Sequence, residues 1–543
     1  MKAFSKLPAK LKRLKKYLLP LAAGAAGSLS FAPYSQPYAI YVSLAMFFHL
    51  LYRKKAQTSR CWALLAALCF CTVFWINLSM TAYSGVPLIL AVAVLLLFSL
   101  YLTSYHALVI YLANRIFRGQ LFVKNVLAIP SGFILADYAA GHALTGFPWV
   151  YLGYTQIDTP LRNLAPVTGV HGITLVMLLA CALAYHGFYS RRLWYLAAAT
   201  LPVMAAIFCQ HTYTREAESV RITMVQGNIQ QQVKWDPEKS VEIFETYYRL
   251  SQPYFRGEDR TDILVWPESA IPEIENNVFD LFYRLDNLAH SRGFSFLTGF
   301  QTCRPSDMSY FNAVVGMGVQ DLEGRQSYSF MGGNRYYKRH LVPFGEKVPF
   351  PSLLRRMGKF FNMPMSSFSN GDDLQPNITA GHARIASAIC YEVAFPDEMQ
   401  ENIHDSTNLL LSLSNDGWFG TYDPQTGDYY VSAGPYQHAQ IARMRALEFQ
   451  KPMARVTNNG LSAIFDADGG TLATLPFYRQ GAASARVTLR TGSTPFGTHG
   501  FAIIFSIVLG MQLIAFSHLL ILMIVTERGK GKKRDDKPRE PGE

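Results

Sequence analysis

Hydrophobic residues are concentrated in two regions of this chain, which flank a segment of ordinary polarity. Long apolar runs fill residues 17–210 and 501–525, whereas residues 211–498 have the mixed pattern of a soluble domain. A helix needs about 20 apolar residues to cross roughly 30 Å of hydrocarbon. The runs that approach this length predict spans at 17–33, 37–52, 61–80, 86–112, 121–141, 164–188, 193–210 and 501–525. We therefore expect a multi-pass α-helical membrane protein with about eight spans.

The pattern predicts four regions in all. They are an N-terminal transmembrane region of about seven helices (1–210), a folded domain (211–498), a C-terminal transmembrane helix (499–526) and a basic tail (527–543).

Within the folded domain, short β-rich apolar runs alternate with helical segments. The run N-L-L-L-S-L-S at 408–414 is almost unbroken, as expected for a strand covered on both faces. Other predicted strands are Ile222–Gln226, Ile263–Val265, Phe294–Thr298, Ala313–Met317 and Arg384–Ile389, and Leu409–Ser414 is the strand within that run. Predicted helices are 237–251, 277–291 and 435–450. This alternation favours a layered α/β domain.

The composition supports a membrane protein, because 50% of the residues are hydrophobic and 16% are charged, against about 25% charged in soluble domains. The net charge of +12 would suit nucleic-acid binding, but its location argues against that partner. Residues 1–16 and 527–543 each hold seven Lys and Arg, whereas 211–498 holds 26 basic against 31 acidic residues. We expect no nucleic-acid partner.

The loop charges predict the orientation. Basic residues cluster in alternate loops and in both terminal segments, whereas the opposite short loops hold a single one, Arg162. The positive-inside rule then places both termini in the cytoplasm. The domain at 211–498 follows the seventh predicted span, so we expect it to be extracytoplasmic.

Of the seven cysteines, five lie in apolar runs, where Cys is a small buried hydrophobe. Cys303 and Cys390 belong to the folded domain, and in an oxidising compartment their pairing in a disulfide is one alternative.

Three reactive groups each come just after a predicted strand. Glu268 ends D-I-L-V-W-P-E, Lys338 lies in R-Y-Y-K-R-H-L-V-P-F-G-E, and Cys390 lies in S-A-I-C-Y-E. Each residue alone has an ordinary explanation: a solvated carboxylate, a basic surface loop and a buried, inert thiol.

Together, these segments resemble the carbon–nitrogen hydrolase (nitrilase) superfamily, in which Glu, Lys and Cys follow strands in this order. More specifically, the chain resembles the apolipoprotein N-acyltransferases of that superfamily. The motifs that carry this resemblance are V-Q-G-N at 225–228, W-P-E-S-A at 266–270, K-x-H-L-V-P-F-G-E at 338–346, I-C-Y-E at 389–392, S-N-D-x-W-F-G at 414–420, Q-H-x-Q-x-A-R-M-R-A-L-E at 437–448 and T-N-N-G at 457–460. The similarity covers the whole chain. One departure is Lys347, where the family is expected to have an aromatic residue.

The resemblance implies a nitrilase-like αββα domain with a Glu268–Lys338–Cys390 triad. Cys390 would be the nucleophile and Glu268 the base that accepts its proton. Lys338 would stabilise the thiolate and the oxyanion of the tetrahedral intermediate. The Tyr391 backbone N–H would be a second oxyanion donor, and Glu346 a supporting carboxylate.

The same resemblance implies the substrates and the location. An acyl chain would pass from a phosphatidylethanolamine-type phospholipid, through a Cys thioester, to the α-amine of the N-terminal diacylglyceryl-cysteine of lipoproteins. Independently of the resemblance, Trp235, Glu392, Trp418 and Phe419 are candidate substrate-binding residues for a pocket open to the membrane, and core packing is the alternative for the three aromatic ones. The protein would lie in the bacterial inner (cytoplasmic) membrane with its domain on the periplasmic side. We expect no metal and no cofactor.

Two other functions remain as alternatives. A membrane-anchored nitrilase-type amidase or hydrolase would use the same triad with water as the acceptor. A transporter would need membrane-buried ionisable residues, for which Asp137, His106 and His186 are the candidates. Arg443 and Arg445 fit either lipid phosphates or structural ion pairs.

Overall fold

A computed structural model gives the fold of residues 9–53, 57–319, 328–347, 368–422, 426–427 and 429–535, with the backbone alone at 9–13 and 528–535. The last eight residues of the predicted tail lie outside this part of the chain. The N-terminal region is helical, and its α-helices are α1 (Ala9–Gly27), α2 (Ile40–Leu51), α3 (Thr58–Thr72), α4 (Ile76–Leu78), α5 (Leu88–Ile116), α6 (Ile129–His142), α7 (Ala165–Ser190) and α8 (Trp194–Phe208).

Three helical segments in the described residues are long and apolar enough to cross a membrane, namely Leu88–Ile116, Pro160–Ser190 and Ala502–Glu527. A fourth span results if Thr58–Thr72 and Ile76–Tyr83, which meet at a bend of 57°, count as one. The chain therefore has several membrane-spanning helices, and about eight spans remains a prediction.

The other predicted spans correspond to shorter or interrupted helices. Helix α2 has 12 residues, which is about 18 Å at 1.5 Å per residue and less than the hydrocarbon thickness. The predicted span 121–141 consists of a π-helical segment, Val123–Ala128, followed by α6. At these two positions the apolar runs therefore overestimate the length of continuous helix.

The domain that follows contains all six predicted strands and all three predicted helices. Its strands are β1 (Arg215–Gln226), β2 (Ile263–Val265), β3 (Ser295–Arg304), β4 (Ser309–Gly318), β5 (Arg335–Tyr337), β6 (Ile378–Ala380), β7 (Ala383–Ile389), β8 (Leu409–Ser414), β9 (Gly420–Tyr422), β10 (Tyr429–Val431), β11 (Met453–Thr457), β12 (Ser462–Phe465), β13 (Thr471–Leu475) and β14 (Gly481–Thr491). Its helices are α9 (Ser240–Arg256), α10 (Glu275–Arg292), α11 (Pro396–Glu401) and α12 (Gly434–Phe449). Two helices follow it, α13 (Pro495–His499) and α14 (Ala502–Asp535), and α14 continues past the predicted end of the last span at 526.

Two six-stranded sheets form the centre of the domain. Their strand orders are β14-β1-β2-β3-β4-β5 and β13-β12-β11-β8-β7-β6, while β9 and β10 form a separate pair. Strands β1, β2 and β3 are parallel to one another, as are β7, β8 and β11. Each sheet therefore has a parallel centre and antiparallel edges.

The burial pattern of the strands produces four layers. Alternate residues of β8, Leu409, Leu411 and Leu413, pack between the two sheets with Ile222 and Val265 of the first sheet. The other face of the first sheet packs on α9 and α10, and the other face of the second sheet packs on α12. This confirms the αββα arrangement, which follows from strands that are apolar on both faces.

The outer layer over the second sheet also joins the domain to the N-terminal helices. Leu410 of β8, Ile441 of α12 and Trp149 belong to one continuous apolar core that extends into α2, α3 and α7. Buried polar contacts fix this junction. The carboxamide of Gln437 accepts from the indole N–H groups of Trp75 (2.9 Å) and Trp149 (2.8 Å), and it donates to the carbonyl oxygens of Ala32 and Thr72.

A second polar contact forms where α7 kinks. Gly169 has φ of 62°, a left-handed conformation that glycine adopts without steric cost. The backbone N–H of Val170 donates to the carboxylate of Glu448 on α12 (2.8 Å). The kinked helix α7 is therefore tied to the domain through this contact.

Candidate active site

The candidate active site lies where strands from both sheets end. Glu268 follows β2 and Lys338 follows β5 in the first sheet, while Cys390 follows β7 in the second. In open α/β sheets, functional groups gather at the carboxyl ends of parallel strands. The structure brings the three predicted catalytic residues together at this edge.

Glu268 is held by hydrogen bonds from both sheets. Its Oε1 accepts from the side chain of Asn312 (2.8 Å), and its Oε2 accepts from the backbone N–H of Asn415 (2.8 Å). The backbone around Glu268 packs closely on β3, because a Cβ on Gly299 would lie 2.6 Å from the Glu268 Cα. The carboxylate is buried and fixed in direction.

Lys338 lies between two carboxylates. Its Nζ is 2.8 Å from Glu346 Oε1 and 3.6 Å from Glu268 Oε1, and the side chain is buried. Burial tends to lower the pKa of this ammonium, but Glu346 and Glu268 outweigh burial and raise it above its ordinary value. Lys338 therefore carries a fixed positive charge, and Glu346 is the carboxylate that positions it.

Cys390 has left-handed backbone geometry, with φ of 54°, which is uncommon for a residue with a side chain. Burial raises the pKa of its thiol to about 12, and the charge of Glu268 acts in the same direction, whereas Lys338 opposes the rise. At neutral pH the thiol is therefore protonated, and forming the thiolate requires a base.

Tyr391 extends from this turn toward the N-terminal helices. Its hydroxyl donates to the carbonyl oxygen of Gly146 (3.0 Å), and its ring lies 6.3 Å from that of Phe147. The side chain thus fixes the Cys390 turn against the loop between α6 and α7. Its backbone N–H stays the predicted oxyanion donor.

The carboxylate of Glu392 is engaged within the protein instead of facing a ligand. Its Oε1 accepts from the Tyr336 hydroxyl and from the backbone N–H groups of Arg339 and His340. Its Oε2 accepts from Ile389 (2.6 Å). Burial raises its pKa to about 7, although these hydrogen bonds oppose the rise. Glu392 links the Cys390 turn to the Lys338 segment, so we interpret it as a positioning residue, whereas the sequence suggested substrate binding.

Trp235 is half-buried beside the site. Its ring lies 5.9 Å from the Nζ of Lys234, which donates to the carbonyl oxygen of Glu268 (3.0 Å). Lys234 is buried, and burial lowers its pKa to about 8, although Glu268 and Cys390 oppose this. Trp235 thus neighbours Lys234 in the chain, and it is Lys234 that contacts Glu268.

Trp418 and Phe419 lie at the junction with the N-terminal helices. The Trp418 ring is 5.3 Å from that of Tyr83 and keeps 42% of its surface exposed. The Phe419 ring is 4.7 Å from that of Trp75. Both aromatic residues therefore border the N-terminal helices.

Four polar residues at the site had no predicted role. Asn312 donates to Glu268 and lies 3.2 Å from Glu346, and Asn415 donates to Glu268 through its backbone. His438 and Asp416 lie behind Cys390. The sequence did mark these residues, since Asn312 interrupts the apolar strand at 309–318 and the others lie in the motifs S-N-D and Q-H. It gave no indication of which groups their side chains contact.

The three ionisable residues that a transporter could use, Asp137, His106 and His186, each contact a partner within the helical region. His106 Nε2 is 2.9 Å from Asp137 Oδ1, and His186 contacts the hydroxyl of Tyr52 at 2.8 Å. A transporter would be expected to present such groups along a pathway, and this pairing gives a structural explanation for them.

Both arginines of α12 form structural ion pairs. Arg443 pairs with Asp158 (2.7 Å), and the buried Arg445 pairs with Glu448 (3.0 Å). Of the two roles considered for these residues, the structure therefore favours ion pairing over contact with lipid phosphates.

In the described part of the chain, Cys303 and Cys390 are both free thiols. No group of three or more His, Cys, Asp or Glu in the described residues could hold a metal ion.

The comparisons with known proteins agree with this two-part construction. Residues 23–183 match the apolipoprotein N-acyltransferase N-terminal domain, and residues 221–494 match the carbon–nitrogen hydrolase family. The apolipoprotein N-acyltransferase of Photobacterium profundum is 36% identical over 97% of this chain and 98% of its own length. That of Shewanella oneidensis is 38% identical over 92% and 95%. The chain belongs to the apolipoprotein N-acyltransferase family.

Two solved structures are similar to about half of this member of the apolipoprotein N-acyltransferase family. Nit3 of Saccharomyces cerevisiae, from branch 10 of the nitrilase superfamily, is 14% identical, with a TM-score of 0.34; the match covers 50% of this chain and 91% of Nit3. A carbon–nitrogen hydrolase from Helicobacter pylori is 15% identical, with the same TM-score, over 50% and 89%.

Proposed function

We propose that this N-acyltransferase takes its acyl chain from a phospholipid and passes it, through a thioester on Cys390, to the α-amine of the N-terminal diacylglyceryl-cysteine of lipoproteins. The observation that carries the proposal is the convergence at one strand edge of Glu268, Lys338 and the Cys390 thiol. The relatives' names supply the acceptor class, a lipoprotein. The phosphatidylethanolamine-type donor follows from the family resemblance.

In the first step, Glu268 accepts the proton of the Cys390 thiol, and the thiolate attacks the ester carbonyl of the phospholipid. The oxyanion of the tetrahedral intermediate is stabilised by the ammonium of Lys338 and the backbone N–H of Tyr391. Collapse of the intermediate breaks the ester bond. Glu268 returns its proton to the departing lysophospholipid oxygen, which leaves an acyl thioester on Cys390.

In the second step, the lipoprotein α-amine attacks the thioester carbonyl, and Glu268 accepts the proton that the amine loses. The same donors stabilise the second oxyanion. The C–S bond then breaks, an amide forms, and the thiolate regains its proton from Glu268. The two half-reactions therefore use one base and one oxyanion site.

The helical region explains why this chemistry is placed in a membrane. Moving each CH₂ of an acyl chain from hydrocarbon into water costs about 0.8 kcal/mol, so extracting a long chain is prohibitive. We propose that the nitrilase-like domain (211–498) lies on the periplasmic face of the inner membrane, between an N-terminal helical region (1–210) and a C-terminal span (499–526). The loop charges support the proposed orientation, in which both termini and the basic tail (527–543) lie in the cytoplasm.

The experiment is intact mass measurement of the purified protein after incubation with a phospholipid of defined acyl chains. An added acyl mass on the wild-type protein, absent from Cys390→Ala, supports the thioester. Adding a diacylglyceryl peptide should then remove the acyl group and give an N-acylated peptide. Release of the acyl chain only as free fatty acid would instead identify a hydrolase, the second candidate function.

A further inference from the structure

His438 lies in the second turn of α12, buried directly behind the nucleophile. Its ring Nε2 is 3.0 Å from the carbonyl oxygen of Cys390. Its Nδ1 is 3.1 Å from Asp416 Oδ1 and 3.2 Å from the guanidinium of Arg455. The preceding residue, Gln437, holds the N-terminal helices, so one turn of α12 contacts both the helical region and the nucleophile.

The hydrogen bond to Cys390 determines where the ring carries a proton. A carbonyl oxygen can only accept, so Nε2 carries the hydrogen. Nδ1 either donates to Asp416 or accepts from Arg455, and Nε2 donates to Cys390 in both cases. Asp416 is itself fixed by Arg455 (2.6 Å) and Ser414 (2.6 Å), so the imidazole is held in one orientation.

The hydrogen bond from His438 holds the backbone of Cys390, which has an unusual conformation. Cys390 has φ of 54°, and a residue with a side chain keeps such left-handed geometry only where its surroundings hold it. The peptide bond between Cys390 and Tyr391 is planar and trans, so its N–H points opposite to its carbonyl oxygen. Fixing the carbonyl toward His438 therefore turns the Tyr391 N–H to the other side of the turn.

We propose that His438 is a positioning residue, which holds the Cys390 carbonyl so that the Tyr391 N–H is aimed at the oxyanion. This proposal rests on the function proposed above, in which Cys390 carries the acyl group. His438 touches neither substrate nor the reacting atoms, and it acts through one peptide plane. It gives a role to a buried ionisable group that the transfer mechanism does not otherwise use.

The test compares two amide substitutions at this position. A glutamine amide nitrogen reaches the place of the imidazole Nε2, whereas the shorter asparagine reaches only the place of Nδ1. His438→Gln therefore keeps the donor to Cys390, and His438→Asn loses it. Each variant is measured for the single-turnover rate of Cys390 acylation by phospholipid, for the phospholipid concentration at half-maximal rate, and for alkylation of Cys390 by iodoacetamide, which forms no oxyanion.

We expect His438→Asn to slow acylation about 10²–10³-fold, the usual cost of losing an oxyanion donor, with the half-maximal phospholipid concentration unchanged. Its alkylation rate should stay within about twofold of wild type, and His438→Gln should acylate within about tenfold of wild type. A parallel fall in acylation and alkylation would mean that His438 only holds the thiol in place, and would overturn the proposal. So would a folded His438→Gln that acylates as slowly as His438→Asn.

If His438→Asn does not fold, His438→Gln decides alone. Acylation within about tenfold of wild type supports the proposal, and a loss beyond about 10²-fold at a normal alkylation rate contradicts it. The proposed function is checked separately on the wild-type protein. Absence of any acyl adduct on wild-type Cys390 refutes that function and also the role of His438. If the adduct forms at equal rates on wild type and on both variants, only the role of His438 is refuted.

Discussion

Glu268 affects Cys390 in two opposite ways. Its negative charge adds to burial in raising the thiol pKa to about 12, yet it is also the proposed base that removes the thiol proton. In Glu268→Gln the thiol pKa should fall, because a nearby negative charge disfavours the thiolate. Alkylation by iodoacetamide should therefore reach half its maximal rate at a lower pH than in wild type. Acylation by phospholipid at neutral pH should fall about 10²–10⁴-fold, since the base is lost.

The two measurements are a pH series of alkylation and intact-mass detection of the acyl thioester. Glu245→Gln is the matched control, because Glu245 lies exposed on α9, and both quantities should equal those of wild type. An alkylation profile displaced to higher pH in Glu268→Gln would contradict the assigned electrostatics. Undiminished thioester formation would contradict the role of Glu268 as base.

At the scale of elements, the turn Cys390–Ala394 and the segment after β5 are joined by one buried carboxylate. Glu392 accepts a hydrogen bond on each of its oxygens from opposite sides, from Ile389 in one element and from Arg339 in the other. Glu392→Gln replaces one oxygen with an NH₂ group, which would face a backbone N–H. We expect a loss of about 1–3 kcal/mol in the free energy of unfolding, together with slower acylation, because Cys390 and Lys338 are no longer held in register.

Thermal unfolding in detergent and the acylation rate would measure this effect. Glu242→Gln is the control, since Glu242 is exposed on α9 and pairs with the exposed Lys239 at 2.8 Å. An exposed ion pair contributes about 0–1 kcal/mol, so this variant should stay close to wild type. Equal effects of the two substitutions would mean that burial of Glu392 gives it no special role.

The same scale explains what the sequence could and could not predict. The ends of strands β2 and β7 were predictable because the apolar runs end just before Glu268 and Cys390. The contacts of Asn312 and His438 could not be predicted, because each joins elements that are far apart in the chain. For the predicted spans 37–52 and 121–141, helix length was overestimated for a similar reason. Hydropathy reports which residues avoid water, and it does not report where a π-helical segment or a turn interrupts a span.

At the scale of the whole molecule, the helical region and the nitrilase-like domain share one apolar core, and Gln437 lies within it. Its carboxamide accepts from Trp75 and Trp149 and donates to the carbonyl oxygens of Ala32 and Thr72. A substitution there leaves buried donors and acceptors without partners, and each such group costs about 1–3 kcal/mol. Gln437→Met should therefore destabilise the whole protein markedly, although it keeps the side-chain length.

The shared core also determines how this variant should fail. Because Gln437 and His438 are neighbours in α12 and contact the helices and the Cys390 turn respectively, loosening the junction should disturb the Cys390 turn along with the helices. Tryptophan fluorescence, which includes Trp75 and Trp149 at the junction, and alkylation of Cys390, which reports on the site, should then both change at one lowered melting temperature. Gln480→Met is the control, since Gln480 is exposed. Two separate transitions in Gln437→Met, with the site unchanged through the first, would mean that the domain keeps its geometry without the helices, and that the junction serves only to anchor it.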